Sequence, residues 1–214
     1  MWEVADMIPT KEEWMKALKE RHGIELHEKI SSATVAVCGL GGLGSNIAIA
    51  LARAGIGKLK LIDFDKVDIT NLHRQQYKIN QIGMSKTEAL RDNLKEINPY
   101  IETEIHNVYL NENNAKNVLS CADIICEAFD NAEAKANIVN FVLSEMPEKY
   151  IVAASGMAGL ESGNSIKTRK VSKQFYLCGD EISDVKDGIG LVSSRVMLCA
   201  AHQAQTVLRI LAGE

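Results

Sequence analysis

The stretch Cys38-Gly39-Leu40-Gly41-Gly42-Leu43-Gly44-Ser45 constrains the fold more than any other part of the chain. An apolar run, Thr34-Val35-Ala36-Val37-Cys38, leads into it, and a helical pattern through Ile47, Ile49, Ala50, Leu51 and Ala54 leads out. Strand, glycine turn and helix in that order make the phosphate-holding geometry of nucleotide-binding α/β folds. Glycines allow the tight turn and a close backbone approach, and the helix N-terminus offers unpaired N–H groups at its positive dipole end. Gly39, Gly41 and Gly44 fit G-x-G-x-x-G. The next apolar run, 58–62, ends in Asp63, close to the roughly 20-residue offset of a ribose-binding acid. The glycines alone are also compatible with a tight turn that binds nothing; the strand, helix and acid around them favour a nucleotide site.

The pattern then repeats. Apolar runs at 34–38, 58–62, 101–108, 123–126 and 150–154 alternate with helical patterns, one opened by Ser85 and Glu88, one by Asn111 and one after Asp130-Asn131. Such alternation predicts an α/β fold: a doubly wound, mainly parallel, Rossmann-like sheet. Thr10 and Glu13 fit a capping box for an N-terminal helix that Gly23 breaks, with a second short helix over 24–30. Beyond Gly156 the alternation stops. Residues 165–169 and 175–177 predict two shorter strands that can pair antiparallel, and 191–211 a last helix. The expectation is one domain over 1–214, with a helical arm (1–30), a Rossmann-like core (31–155) and a short, partly antiparallel C-terminal extension (156–214).

Composition bounds the function. With 46% apolar and 24% charged residues and a net charge of −4, the chain reads as an ordinary globular protein with no electrostatic case for non-specific nucleic-acid binding. No apolar run approaches the roughly 18–20 residues of a membrane span, and the N-terminus lacks the basic and apolar regions of a signal peptide. The five cysteines have no framework spacing, and Cys38, Cys121 and Cys126 lie in or beside apolar runs; they read as buried thiols of a cytoplasmic protein.

Ligands of such sheets bind outside the carboxyl ends of the strands. There the sequence places the glycine turn, Asp63, Asp65, a long polar stretch over 63–77, and Asp130 after the fourth strand. A carboxylate beside bound phosphates usually signals Mg²⁺. Arg74 and Lys86 supply cations, and Lys86 sits just inside a helix N-terminus, where the macrodipole disfavours it unless an anion is near. Each residue alone also fits a surface charge. Together they fit a triphosphate better than a dinucleotide. An NAD-dependent oxidoreductase would use Asp63 but leaves Arg74, Lys86 and Asp130 unexplained, and neither His106 nor His202 is placed for hydride transfer.

At these residues the sequence resembles the HesA/MoeB/ThiF family, relatives of the ubiquitin-activating enzymes. The likeness is carried by Gly39-Leu40-Gly41-Gly42-Leu43-Gly44-Ser45, Asp63-Phe64-Asp65, Asn71-Leu72-His73-Arg74-Gln75, Gly83-Met84-Ser85-Lys86, Ile97-Asn98-Pro99 and Asp130-Asn131, in order over about 30–155. It is nearest to the short ThiF family two proteins of thiamine biosynthesis. The resemblance implies ATP-dependent adenylylation of the C-terminal Gly-Gly carboxylate of a ubiquitin-like, ThiS-like sulfur carrier, with ATP and Mg²⁺. Gly39, Gly41, Gly44, Asp63, Asp65, Asn71, Arg74, Gln75 and Lys86 would bind the nucleotide, Asp63 at the ribose and Asn71, Arg74 and Lys86 at the phosphates. Asp130 would hold Mg²⁺. It also implies a homodimer in which Arg21 reaches the partner's ATP. Cys-x-x-Cys pairs that bind zinc in many relatives are missing from this sequence, so no zinc is expected. Cys178 is the only loop candidate for a persulfide link, with an unreactive thiol as the favoured alternative. Other readings are adenylylation of a carboxylate on modified tRNA or on a peptide, with nucleic acid the less expected partner, and a nucleotide-binding module without catalysis. No membrane contact is expected.

Overall fold

The structure, a computed structural model, describes residues 8–186 and 188–214. Strands β1 (Thr34–Cys38), β2 (Lys58–Ile62), β3 (Glu102–His106), β4 (Ile124–Glu127), β5 (Tyr150–Ala154), β6 (Lys167–Lys170) and β7 (Phe175–Gly179) form one sheet in the order β3-β2-β1-β4-β5-β7-β6. Every neighbouring pair is parallel except β6 with β7. The α/β class, the mainly parallel sheet and the antiparallel pair at the end all agree with the sequence expectation. Strand order reverses between β1 and β4, which makes the crevice beyond their carboxyl ends the switch point where such sheets bind ligands.

Helices cover both faces. Val35 and Val37 of β1 point into a core shared with α2 (Ile24–Ser32), α3 (Gly42–Ala54), α4 (Lys86–Ile97) and α7 (Ser193–Ala212). Ala36 and Cys38 point the other way, toward α5 (Glu112–Leu119) and α6 (Ala132–Glu145). A strand buried on both faces reads as a continuous apolar run, which is why β1, β4 and β5 were legible as strands. Gly55 closes α3 in the left-handed conformation at φ 87°, as its place after Ala54 predicts.

The N-terminal helix α1 (Lys11–His22) has the expected Thr10/Glu13 capping box, but none of its residues is buried. Its Leu18 rests on Gly55, and the Tyr100 hydroxyl donates to the Pro9 carbonyl, so α1 lies against the N-terminal edge of the sheet. Two sequence expectations are corrected. Cys121 is exposed, because it occupies the turn between α5 and β4, not a packed strand. Cys178 is not in a loop: β7 continues through it to Gly179, and it is fully buried.

A buried ion pair fastens the opposite, carboxyl edge of the sheet. Arg195, in the first turn of α7, donates to the carbonyls of Glu161 and Ser162 and to the carboxylate of Asp180, which follows β7. Burial pushes the Asp180 carboxyl up, but the amides of Ser183 and Ile182, the Ser183 hydroxyl and Arg195 outweigh it and hold the group at about 2.

Candidate active site at the carboxyl edge of the sheet

The glycine turn is shaped by close approaches that no side chain could share. Gly39 has φ +90°, and a Cβ there would lie 2.8 Å from the Ala128 carbonyl; a Cβ on Gly44 would lie 1.8 Å from the Gly39 carbonyl. Gly41 is different. A Cβ on it would meet only Gln75 Nε2, at 3.8 Å, so the space over Gly41 is open for a ligand. Gly41 and Gly42 begin α3 with no side-chain cap, leaving the helix's first amides available to an anion.

Asp63 braces this turn from β2. Its two carboxylate oxygens accept from the amides of Leu40 at 2.6 Å and Asp65 at 2.8 Å. Tyr77, which sequence reasoning overlooked, donates its hydroxyl to the Leu40 carbonyl at 2.7 Å. Burial, with Asp63 and Asp65 nearby, raises the tyrosine's pKa well above the ordinary value, so it stays a neutral donor.

The long polar stretch after Asp63 is ordered through two short 3₁₀ turns, Ile69–Asn71 and Ile79–Gln81. The first turn of α3 holds it down. Ser45 Oγ accepts from the Gln76 amide, and Asn46 bonds both the Arg74 carbonyl and the Gln76 side chain. These ties lay the Arg74 side chain across Gly42, where a Cβ would touch Arg74 Cγ at 3.4 Å. Arg74 Nε and Gln75 Oε1 are buried there without a partner. Unpaired buried polar atoms are costly, and two of them beside an uncapped helix N-terminus fit a site completed by a polar ligand. Asn71 lies one turn back; its side chain accepts from the Asp68 amide, while its carbonyl accepts from the amides of Arg74 and Gln75.

Lys86 opens α4 and is buried, with Nζ 2.7 Å from Asp65 Oδ2 and 3.9 Å from Asp63 Oδ2. The anions that offset its unfavourable place at a helix N-terminus are therefore supplied by the protein itself. Across the switch point, Asp130 is exposed two residues beyond Ala128, whose carbonyl abuts Gly39. Lys86 and Asp130 thus share the carboxyl rim with Gly41, one on the β2 flank and one on the β4 flank.

Arg21 is the exception. It is exposed in the last turn of α1, three residues after the Leu18 that packs on Gly55, at the opposite end of α3. A helix of 13 residues spans ~20 Å, so the chain's own Arg21 does not join its own crevice. Cys178 contributes nothing there either: burial pushes its thiol up, against the lowering effect of the Thr168 and Thr206 hydroxyls. A further feature had no sequence signal. Phe64 and Tyr109, both exposed, meet edge to face at 5.2 Å beside Asp63, and Tyr109 borders an open cleft of about 260 Å³ between the start of α5 and α6.

The sequence profile of the ThiF family matches residues 16–214. The chain belongs to the ThiF family. Over 142 residues this ThiF-family chain is 39% identical to ubiquitin-like modifier-activating enzyme 5 of Caenorhabditis briggsae, taking in 66% of the chain and 31% of the relative. Over 202 residues it is 30% identical to the adenylyltransferase and sulfurtransferase MOCS3 of Culex quinquefasciatus, taking in 89% and 44%. The chain therefore spans less than half the length of these curated relatives. Its fold is also that of the E. coli tRNA N6-threonylcarbamoyladenosine dehydratase TcdA, solved in complex with ATP, with a TM-score of 0.83 at 21% identity over 93% of each chain.

Proposed function

We propose that this ThiF-family chain adenylylates the C-terminal Gly-Gly carboxylate of a ubiquitin-like, ThiS-like sulfur carrier in thiazole formation for thiamine, as a cytoplasmic homodimer. The observation that carries the reading is the pair of unpartnered buried atoms, Arg74 Nε and Gln75 Oε1, beside the open face of Gly41. Relatives named as an adenylyltransferase and as a modifier-activating enzyme support the same chemistry.

In this reading the amides of the Gly39–Gly44 turn, with Asn71, Arg74 and Gln75, hold the phosphates. Asp63 keeps lone pairs for the ribose hydroxyls after bonding its two amides. The cleft beside Phe64 and Tyr109 seats the base. Lys86 exchanges its half-exposed partner Asp65 for phosphate oxygens. Among the described residues no group of three or more metal-ligating side chains occurs. Mg²⁺ on a nucleotide needs only one or two carboxylates, because phosphates and water complete its shell, so exposed Asp130 fits as its protein ligand. The ion would supply charge neutralisation at the triphosphate.

A carrier carboxylate oxygen then forms a bond to the α-phosphorus, the bond to pyrophosphate breaks, and its electron pair leaves with pyrophosphate. No proton has to move, so the chain acts by positioning and charge neutralisation. Arg21 acts on the ATP of a second copy. Buried Cys178 takes no part, and sulfur comes from another protein. ATP–pyrophosphate exchange with candidate carriers, intact or lacking the terminal glycine, tests the reading: exchange is expected only with an intact tail. Exchange driven instead by tRNA or a short peptide would replace the carrier as substrate.

A further inference from the structure

Glu127 is the last residue of β4, paired in register with Cys38, the residue before the glycine turn. It is fully buried, yet it carries a carboxylate. One oxygen accepts from the Phe129 amide at 2.7 Å; the other accepts from Lys135 Nζ, in the first turn of α6, at 2.5 Å. Its own carbonyl is fixed from the opposite face by Gln203 of α7, at 2.9 Å.

These bonds control a very short loop. Only Ala128, Phe129, Asp130 and Asn131 join β4 to α6. Ala128 is held by its amide to the Cys38 carbonyl, Phe129 by the Glu127 carboxylate, and Asn131 by capping α6 at the Ala134 amide. Phe129 also lays its ring against Gly39, where a Cβ would lie 3.0 Å from Cδ1. Asp130 stands exposed at the apex. A buried ion pair is weak evidence for stability, but it fixes geometry, and here it clamps strand end, loop amide and helix start together.

We propose that Glu127, with Lys135, is a positioning residue that presents Asp130 to the glycine turn. The proposal rests on the reading of Asp130 as the carboxylate that acts on the bound triphosphate. It predicts a coupling that a merely structural ion pair would not give: Glu127 should matter to nucleotide binding only while Asp130 is there.

The test is ATP affinity in excess Mg²⁺, without any carrier, for the intact chain, Glu127→Gln, Asp130→Ala and the double variant, with melting temperature followed in parallel. Gln keeps an acceptor for the Phe129 amide but leaves Lys135 unpaired. The expected result is a ~10-fold loss of affinity in Glu127→Gln and under about twofold further loss when Asp130→Ala is already present, as for residues sharing one network. Where Glu127→Gln fails to fold, Glu127→Gln and Glu127→Ala are compared in a Lys135→Met background. In that background the lysine's part of the clamp is already lost, so the Ala form, which also lacks the Phe129 acceptor, should bind ATP more weakly than the Gln form, and only with Asp130 present. Equal losses with and without Asp130, or a lowered melting temperature at unchanged affinity, would overturn the proposal. Binding is read without a carrier, so a failure of carrier adenylylation shows separately, as missing exchange by the intact chain.

Discussion

The two flanks of the glycine turn solve one problem with different chemistry. On each, a carboxylate at a strand end takes a backbone amide, and a lysine from the first turn of the next helix comes to an acid. On the β2 flank, Asp63 pins the glycine turn itself, and Lys86 pairs mainly with Asp65, whose side chain is 48% exposed. On the β4 flank, Lys135 pairs with Glu127, whose side chain is 0% exposed. Burial pushes the Glu127 carboxyl up, while Lys135 and the amides of Phe129 and Ala154 pull it down. The contrast teaches which lysine is free to serve a ligand. Water can take over at Asp65 when Lys86 leaves, but nothing can solvate Glu127 if Lys135 does.

Removing each lysine should break the symmetry between the flanks. Lys86→Ala is expected to cut ATP–pyrophosphate exchange by ~10²–10³-fold, the scale of losing one charge-stabilising donor, with little change in the melting transition. Intact exchange, or a large destabilisation, would mean that Lys86 is structural like its counterpart. Lys135→Ala should instead cost about 3 kcal/mol of stability, the low end for a broken buried pair, because the stranded carboxyl can take up a proton. Its pKa, already above the ordinary 4.5, then rises further. A raised carboxyl is stabilising while protonated, so the deficit should be small below about pH 4.5 and grow as pH rises. Urea titrations at several pH values read both the size and the sign.

A third carboxylate on the same rim sharpens the comparison with the opposite pH signature. Asp180 is held at about 2, below its ordinary 3.8. That depression contributes stability above about pH 4 and loses it as pH falls toward 2, worth about 2 kcal/mol at 1.36 kcal/mol per unit. Arg195→Met should make this acid limb shallower only in part, because the loop amides of Ser183 and Ile182 lower the carboxyl more than Arg195 does, and an unchanged limb would assign the depression to the loop alone. The smallest structural effect is expected at the turn between the flanks. Gly41→Ala should cost about 1 kcal/mol or less, since its Cβ has room, yet weaken ATP binding measured by calorimetry. Unchanged ATP affinity would show that the phosphates do not lie over Gly41.

Much of this edge was legible in the sequence, and unevenly so. β1 read at its true bounds, and the glycine turn and the helix after it were placed correctly, because β-branched residues, glycines and helical spacing all agreed there. Asp63, Arg74, Lys86 and Asp130 could be placed on one rim because strand ends fix it. The loop from Asp63 to Lys86 carried no periodicity, since it runs through two 3₁₀ turns and an irregular segment between them that Ser45 and Asn46 hold. Asp65 as the counter-ion of Lys86 was hidden for the same reason. Glu127 and Lys135 stand eight residues apart across a strand end and a helix start, a pairing no spacing rule flags. Cys178 looked like a loop residue because Gly179 follows it, but pairing with β5 carries the strand through it.

The central claim is that one triphosphate lies against the glycine turn between the two flanks. A crystal structure with a non-hydrolysable ATP analogue and Mg²⁺ tests it most directly. The account predicts phosphate oxygens on the amides at Gly41 and Gly42, Arg74 and Gln75 turned onto them, Lys86 drawn off Asp65, and Lys135 still on Glu127. Phosphates lying away from that turn, or a Lys86 that keeps Asp65 while the analogue is bound, would contradict it.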